Sequence, residues 1–191
     1  MNNIKTFENF NNKDIFTYIE NNDIKSVENY INSGADLNKQ NNIGETVLIR
    51  AVINDKIEIV KLLLNAGVDT NKQNNDGYTA LILASYYDRI EIVKLLLNAG
   101  ADIDKQNNGD YTALICAALE NNRKIVELLL DYGADEFILN NENKSFYDYL
   151  DDENKKYFLQ NYPTSVYNAI SHNYKKSFTE FVKDYNIKIK K

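Results

Sequence analysis

The chain has 191 residues, 43% hydrophobic and 26% charged, with a net charge of −6 and a pI of about 4.9. An acidic chain repels phosphate backbones, which excludes nucleic acid as the expected partner. Mean hydropathy is −0.51 and the longest clean apolar run is Ala113–Leu119, far short of the roughly 20 residues of a membrane helix.

Residues 1–12 are polar and Asn-rich. They lack the basic flank and apolar segment of a secretory signal, so a cytoplasmic site is expected. From Lys13 a helical pattern begins, with Ile15, Tyr18, Ile24, Val27, Tyr30 and Ile31 in its apolar slots. Ser26 and Ser33 stand where later copies hold Ile59 and Ala66. More polar residues suit a terminal unit, and an N-terminal cap is assigned to about 13–43.

Gly34-Ala35-Asp36 then recurs as Gly67-Val68-Asp69, Gly100-Ala101-Asp102 and Gly133-Ala134-Asp135, each step being 33 residues. Thr46, Thr79, Thr112 and Ser145 keep that step, as do Leu48, Leu81 and Leu114, and Ala51, Ala84 and Ala117. Full repeats are read at about 44–76, 77–109 and 110–142. In the first, Thr46 caps a short helix carrying Leu48, Ala51 and Val52. A turn at Asn54-Asp55 leads to a second helix with Ile57, Val60, Leu63 and Leu64 on one face. Gly67 ends it, and a projecting loop runs from Asp69 to a second glycine turn at Gly77. Neither helix reaches the roughly 12 residues at which an isolated helix becomes even marginal in water. Stacked neighbours must bury the apolar faces together.

The loops carry their own columns. Lys39-Gln40-Asn41-Asn42 returns at 72–75 and 105–108. Gln40, Gln73 and Gln106 are expected to form a ladder of stacked amides rather than a set of partner contacts. Asp36, Asp69, Asp102 and Asp135 are expected to shape turns. In the third repeat Asp110 fills the glycine slot and Gly109 sits one place early, which predicts a distorted loop.

After Asp135 the pattern frays into a degenerate repeat at about 143–162. Ser145, Tyr147 and Leu150 fit its first helix. Asp151-Asp152-Glu153 opens its second, where negative charge suits the helix dipole. That helix carries Tyr157, Phe158 and Leu159 and ends before Pro163. A closing helical pair follows at about 164–185, in which Thr164, Val166, Ala169 and Ile170 echo the first helices, and Phe178, Phe181 and Val182 the second. The alternative is a separate C-terminal hairpin with its own role. Lys188, Lys190 and Lys191 read as a solvated end.

These residues resemble the ankyrin repeat family, best in Gly77-Tyr78-Thr79-Ala80-Leu81 with Ile92-Val93-Lys94-Leu95-Leu96-Leu97-Asn98-Ala99-Gly100-Ala101-Asp102. The resemblance is strong over about 34–139. It implies an all-α ankyrin-repeat solenoid of stacked helix-turn-helix units with projecting β-turn hairpin loops, one domain over 1–191. Family repeats usually open the first helix with Thr-Pro-Leu-His. Here Val47, Ala80 and Ala113 fill the proline slot, and Ile49, Ile82 and Ile115 the histidine slot. Packing of those isoleucines is expected to replace the histidine-centred hydrogen bonds.

Chemistry has few carriers. Cys116 and His172 are single residues of their type, 56 apart, so disulfides, multi-cysteine metal sites and two-histidine zinc motifs are excluded. Cys116 reads as a small core residue and His172 as a surface turn residue. No closely spaced glycines suggest a phosphate loop. The Asn143-Lys144-Ser145 sequon reads as incidental without a secretory signal. No cofactor, no metal and no catalytic residue is expected.

The resemblance implies instead a non-catalytic, monomeric module that binds another protein through a concave face of loop tips and first helices. Variable slots on that face are Glu45, Tyr78, Tyr111 and Lys144 after the tip glycine, Ile43 and Asp76 before it, and Ile53, Tyr86, Tyr87, Leu119 and Glu120 at the helix ends. Tyr78, Tyr86, Tyr87 and Tyr111 are expected to form one aromatic patch, with apolar contacts from Ile43, Ile53 and Leu119 and a charged rim of Glu45, Asp76, Glu120 and Lys144. The competing reading makes these tyrosines structural, in a chain that holds 14. Other functions stay open on the same fold: a secreted effector or host-range factor acting on a host protein, and a regulatory subunit of an enzyme.

Overall fold

A threonine hydroxyl starts the first helix of each of three successive repeats. Thr46, Thr79 and Thr112 Oγ1 accept the backbone N–H of Ile49, Ile82 and Ile115 at 3.1, 3.2 and 3.2 Å. These bonds satisfy donors that a helix leaves unpaired at its first turn. The computed structural model describes residues 14–171, 177–185 and 187. Residues 1–13, His172 and the Lys188, Lys190, Lys191 tail lie outside them. Among the described residues there are twelve helices and no strand, in keeping with the all-α expectation.

The chain divides into two compact units, residues 1–101 and 102–191. The first holds α1 (Ile15–Glu20), α2 (Ile24–Asn32), α3 (Val47–Ile53), α4 (Ile57–Asn65), α5 (Ala80–Tyr86) and α6 (Ile90–Asn98). Helices α1, α3 and α5 pack as one row and α2, α4 and α6 as another, each helix also touching its own partner. The turn inside each pair is made by Asn22, Asp55 and Asp88, at φ of 53°, 54° and 57°. Asn and Asp tolerate this left-handed backbone better than other non-glycine residues. Val27, Ile49, Val52, Ile59, Val60, Leu63, Ile92, Val93 and Leu96 are fully buried between the rows.

The second unit holds α7 (Ala113–Leu119), α8 (Arg123–Asp131), α9 (Phe146–Tyr149), α10 (Asp152–Asn161), α11 (Pro163–Ile170) and α12 (Phe178–Asp184). Helix α9 is a single turn, shorter than the span expected from Ser145 to Leu150. Ser145 ties it off by donating its N–H and hydroxyl to Asp148 at 2.7 and 2.8 Å. The Asp151 carboxylate accepts the Asn154 N–H at 2.8 Å and so begins α10. Phe146 and Phe158 meet edge to face at 6.3 Å. Helix α11 covers α9 and α10 and supports α12, with Val166, Ala169 and Phe181 fully buried.

The loops between pairs share one construction. Asp36, Asp69, Asp102 and Asp135 each accept the backbone N–H two residues on, at 2.8, 2.8, 3.2 and 2.9 Å, as expected of turn-shaping aspartates. At the tip, Asn41, Asn74, Asn107 and Asn140 each accept two backbone amides, two and four residues on, at 2.8–3.1 Å. Gln40 links neighbouring loops, as expected of a structural column, but through backbone carbonyls. Gln40 donates to the carbonyls of Gly44 in its own loop and Gln73 in the next, rather than to another side-chain amide. The distortion expected at Asp110 is absent. Asp110 takes φ 62° where Gly44 and Gly77 take 75° and 80°, and its loop closes with the same pair of 3.0 Å backbone bonds as the loop ending at Gly77.

Candidate functional site

The residues singled out on loop tips and helix ends belong to both units, and those of the first line two hollows. In the first unit, the end of α3, the tip around Asp76 and the C-terminal half of α5 converge. Glu45, Ile53, Asn74, Asp76, Tyr78, Leu83, Tyr86 and Tyr87 line one hollow of about 300 Å³. Six of these were picked from sequence. Leu83 and Asn74 were not. Leu83 lies in the column Arg50, Leu83, Cys116, Tyr149, and stands inside α5 rather than at its end.

Tyr86 and Tyr87 end α5 and cap it, 38% and 42% exposed, with rings 5.2 Å apart and nearly perpendicular at 84°. The edge of one ring thus meets the face of the other. Tyr78 is half-buried, its N–H held by Asn74 Oδ1 at 2.8 Å. Asp76 is exposed, its N–H held by the same oxygen at 3.1 Å. The loop therefore fixes both backbones.

Glu45 does not form an exposed rim. It is 7% exposed, its carboxylate accepting from Asn41 at 2.9 Å and pairing with Arg50 at 2.7 Å. Arg50 also reaches Glu20 at 3.8 Å. Burying this carboxylate is tolerable because both its neighbours are donors. Ile43, 57% exposed, borders a different hollow of about 460 Å³ with Asp14, Phe16 and Lys39, where Lys39 and Asp14 pair at 3.3 Å.

Tyr111 lies in the second unit with partners of its own. Its hydroxyl bonds Tyr149 at 3.1 Å and donates to Glu142 at 3.2 Å, with the two rings 6.0 Å apart. The Tyr149 bond, and then burial, holds the Tyr111 phenol above its ordinary range. Asn140 Nδ2 donates to Tyr149 at 2.6 Å. Lys144 pairs with Glu142 at 2.7 Å and sits 5.3 Å from the Tyr149 ring centre. That pair holds the Glu142 carboxyl below its ordinary range. Tyr149, Asn140 and Glu142 were not singled out from sequence. Leu119 and Glu120 are exposed at the end of α7.

Cys116 is buried, and desolvation, then Glu120, pushes its thiol up to about 12. A thiol at that value is almost wholly protonated near neutral pH and is a poor nucleophile. Among the described residues no helix is long and apolar enough to cross a membrane, and no group of three or more His, Cys, Asp or Glu is placed to hold a metal ion.

Two family models match the sequence. One, described as ankyrin repeats in three copies, covers residues 15–107. The other, ankyrin repeats in many copies, covers 96–150. The chain belongs to the ankyrin repeat family. Ankyrin repeats generally mediate protein–protein interaction. No curated protein matches the chain.

Proposed function

We propose that this ankyrin repeat protein is a non-catalytic binding module that seats a partner protein on the first-unit hollow of Ile53, Asp76, Tyr78, Leu83, Tyr86 and Tyr87. One observation carries the reading. Two tyrosines stand exposed and mutually perpendicular beside a concavity that sets Ile53 and Leu83 among polar side chains. Tyrosine offers large contact area with few rotatable bonds, and a few such anchors usually dominate binding energy. The regular scaffold supports it: Thr79 and Asn74 fix the helix start and the loop that carry these side chains.

The test is a double substitution, Tyr86→Ala with Tyr87→Ala. Both side chains are substantially exposed, so helical circular dichroism and melting should stay close to wild type. A partner isolated on the wild-type protein should bind the double variant at least about tenfold more weakly, a loss of about 1.4 kcal/mol. Tyr132→Ala, at a 48% exposed site in the second unit, is the control and should bind as wild type. Equal affinity for wild type and the Tyr86/Tyr87 variant rejects the assignment.

A further inference from the structure

We infer that this hollow receives a cationic side chain, arginine by preference, from a basic segment of the partner. The inference rests on the protein-binding reading above and narrows it to one chemistry. Three observations converge. The first is aromatic: Tyr78, Tyr86 and Tyr87 line the hollow, and the last two meet edge to face rather than stacked. A ring face carries negative charge and attracts a guanidinium or ammonium group.

The second is the carboxylate count. Asp76 and Glu45 line the hollow, and no lysine or arginine does. Glu45 is already neutralised by Arg50 at 2.7 Å and is buried. The exposed Asp76 carboxylate has no ion-pair partner among the described residues, while the N–H of Asp76 is fixed by Asn74. One negative charge therefore stands available beside the rings.

The third is size. A hollow of about 300 Å³ is at the lower limit of small-molecule sites, which suits one inserted side chain. An apolar anchor would desolvate Asp76 without pairing it, at a cost. An acidic anchor would be repelled. Arginine satisfies both the rings and the carboxylate, and its planar group stacks where lysine cannot. The net charge of −6 favours approach of a basic segment.

The test uses the full chain and short peptides of one neutral sequence with a single central arginine, lysine, citrulline or norleucine. Binding is followed by NMR shifts of backbone amides. The arginine peptide should move the signals of residues 74–78 and 83–87, with lysine weaker. Citrulline, which keeps the shape and loses the charge, should bind at least about threefold more weakly. Asp76→Asn should weaken the arginine peptide by a similar factor and leave the citrulline peptide unchanged. Equal binding of arginine, citrulline and norleucine at this site overturns the charge assignment while the protein-binding reading stands. Shifts confined to other residues, or none with any peptide, also overturn it; the partner assay with the Tyr86/Tyr87 variant judges the broader reading independently.

Discussion

Asp104 Oδ1 accepts the Asp135 N–H at 2.8 Å, in the slot from which Asn38 Oδ1 accepts the Asp69 N–H at 3.0 Å. The hydrogen bond is conserved in form, but the second-unit residue brings a charge into acidic company. Burial first, and then Asp135, Asp102 and Glu136, push the Asp104 carboxyl above its ordinary range, against the Asp135 N–H that lowers it. A carboxyl raised in the folded state contributes its stability fully below the unfolded pKa and loses it as pH rises through the raised value. Asp104→Asn keeps the acceptor and removes the charge. At neutral pH the variant should be more stable by a few tenths to about 1 kcal/mol, the site being partly exposed and screened. Near pH 3, where the wild-type group is protonated, the gap should close. Urea denaturation at the two pH values checks this, and a gap independent of pH sinks the electrostatic account.

At the scale of the element, the loop is braced as firmly as the helices. Gly44 combines φ 75° with a close approach: a Cβ there would lie 2.6 Å from the backbone N of Asn75 in the next loop. Backbone cannot yield as a side-chain tip can, so Gly44→Ala combines strain with a clash. It should cost at least about 2 kcal/mol by chemical denaturation, whereas a loss below about 0.5 kcal/mol would show the loops to be loosely coupled. The helices were legible because the 33-residue step repeats their apolar slots and their threonine caps, and the structure keeps both. The loop interior was less so. Asn41, Asn74, Asn107 and Asn140 stand in register, but asparagine is common in any loop, and nothing in its spacing reveals that one oxygen takes two amides. Asp110 looks like a defect in sequence only if its slot must be glycine, whereas aspartate reaches the left-handed region at modest strain and does so here. Of the candidate site, exposed tyrosines at helix ends were legible. The burial of Glu45 was not, because it depends on Arg50 lying one turn away across the helix start, nor was the engagement of Tyr111 by Tyr149, 38 residues on.

At the scale of the whole molecule, the C-terminal pair tests how far the repeat logic extends. As a closing repeat, α11 and α12 exist to cover α9 and α10, which otherwise expose Phe146 and Phe158, now 1% and 0% accessible. As a separate hairpin with its own role, they would leave that core intact when removed. The packing favours coverage: α11 touches α9 and α10, and Val166, Ala169 and Phe181 are all fully buried. Phe181 is enclosed by the Tyr167, Phe178 and Tyr185 rings at 4.9–6.1 Å. Each large apolar side chain buried there stabilises by about 1.5–3 kcal/mol, and a kilocalorie moves the melting temperature of a chain this size by roughly 2–4 °C. A chain ending at Tyr162 should therefore melt at least about 10 °C below the full chain and bind a hydrophobic dye that the full chain does not. Phe181→Ala, which keeps every residue in place, should lower stability by about 3–5 kcal/mol through the cavity it leaves. Unchanged melting in the truncated chain would make the hairpin an appendage rather than a cover. Loss of stability in both variants ties α12 to the core of the second unit, because Phe181 is buried in the pair whose α11 packs on α9 and α10.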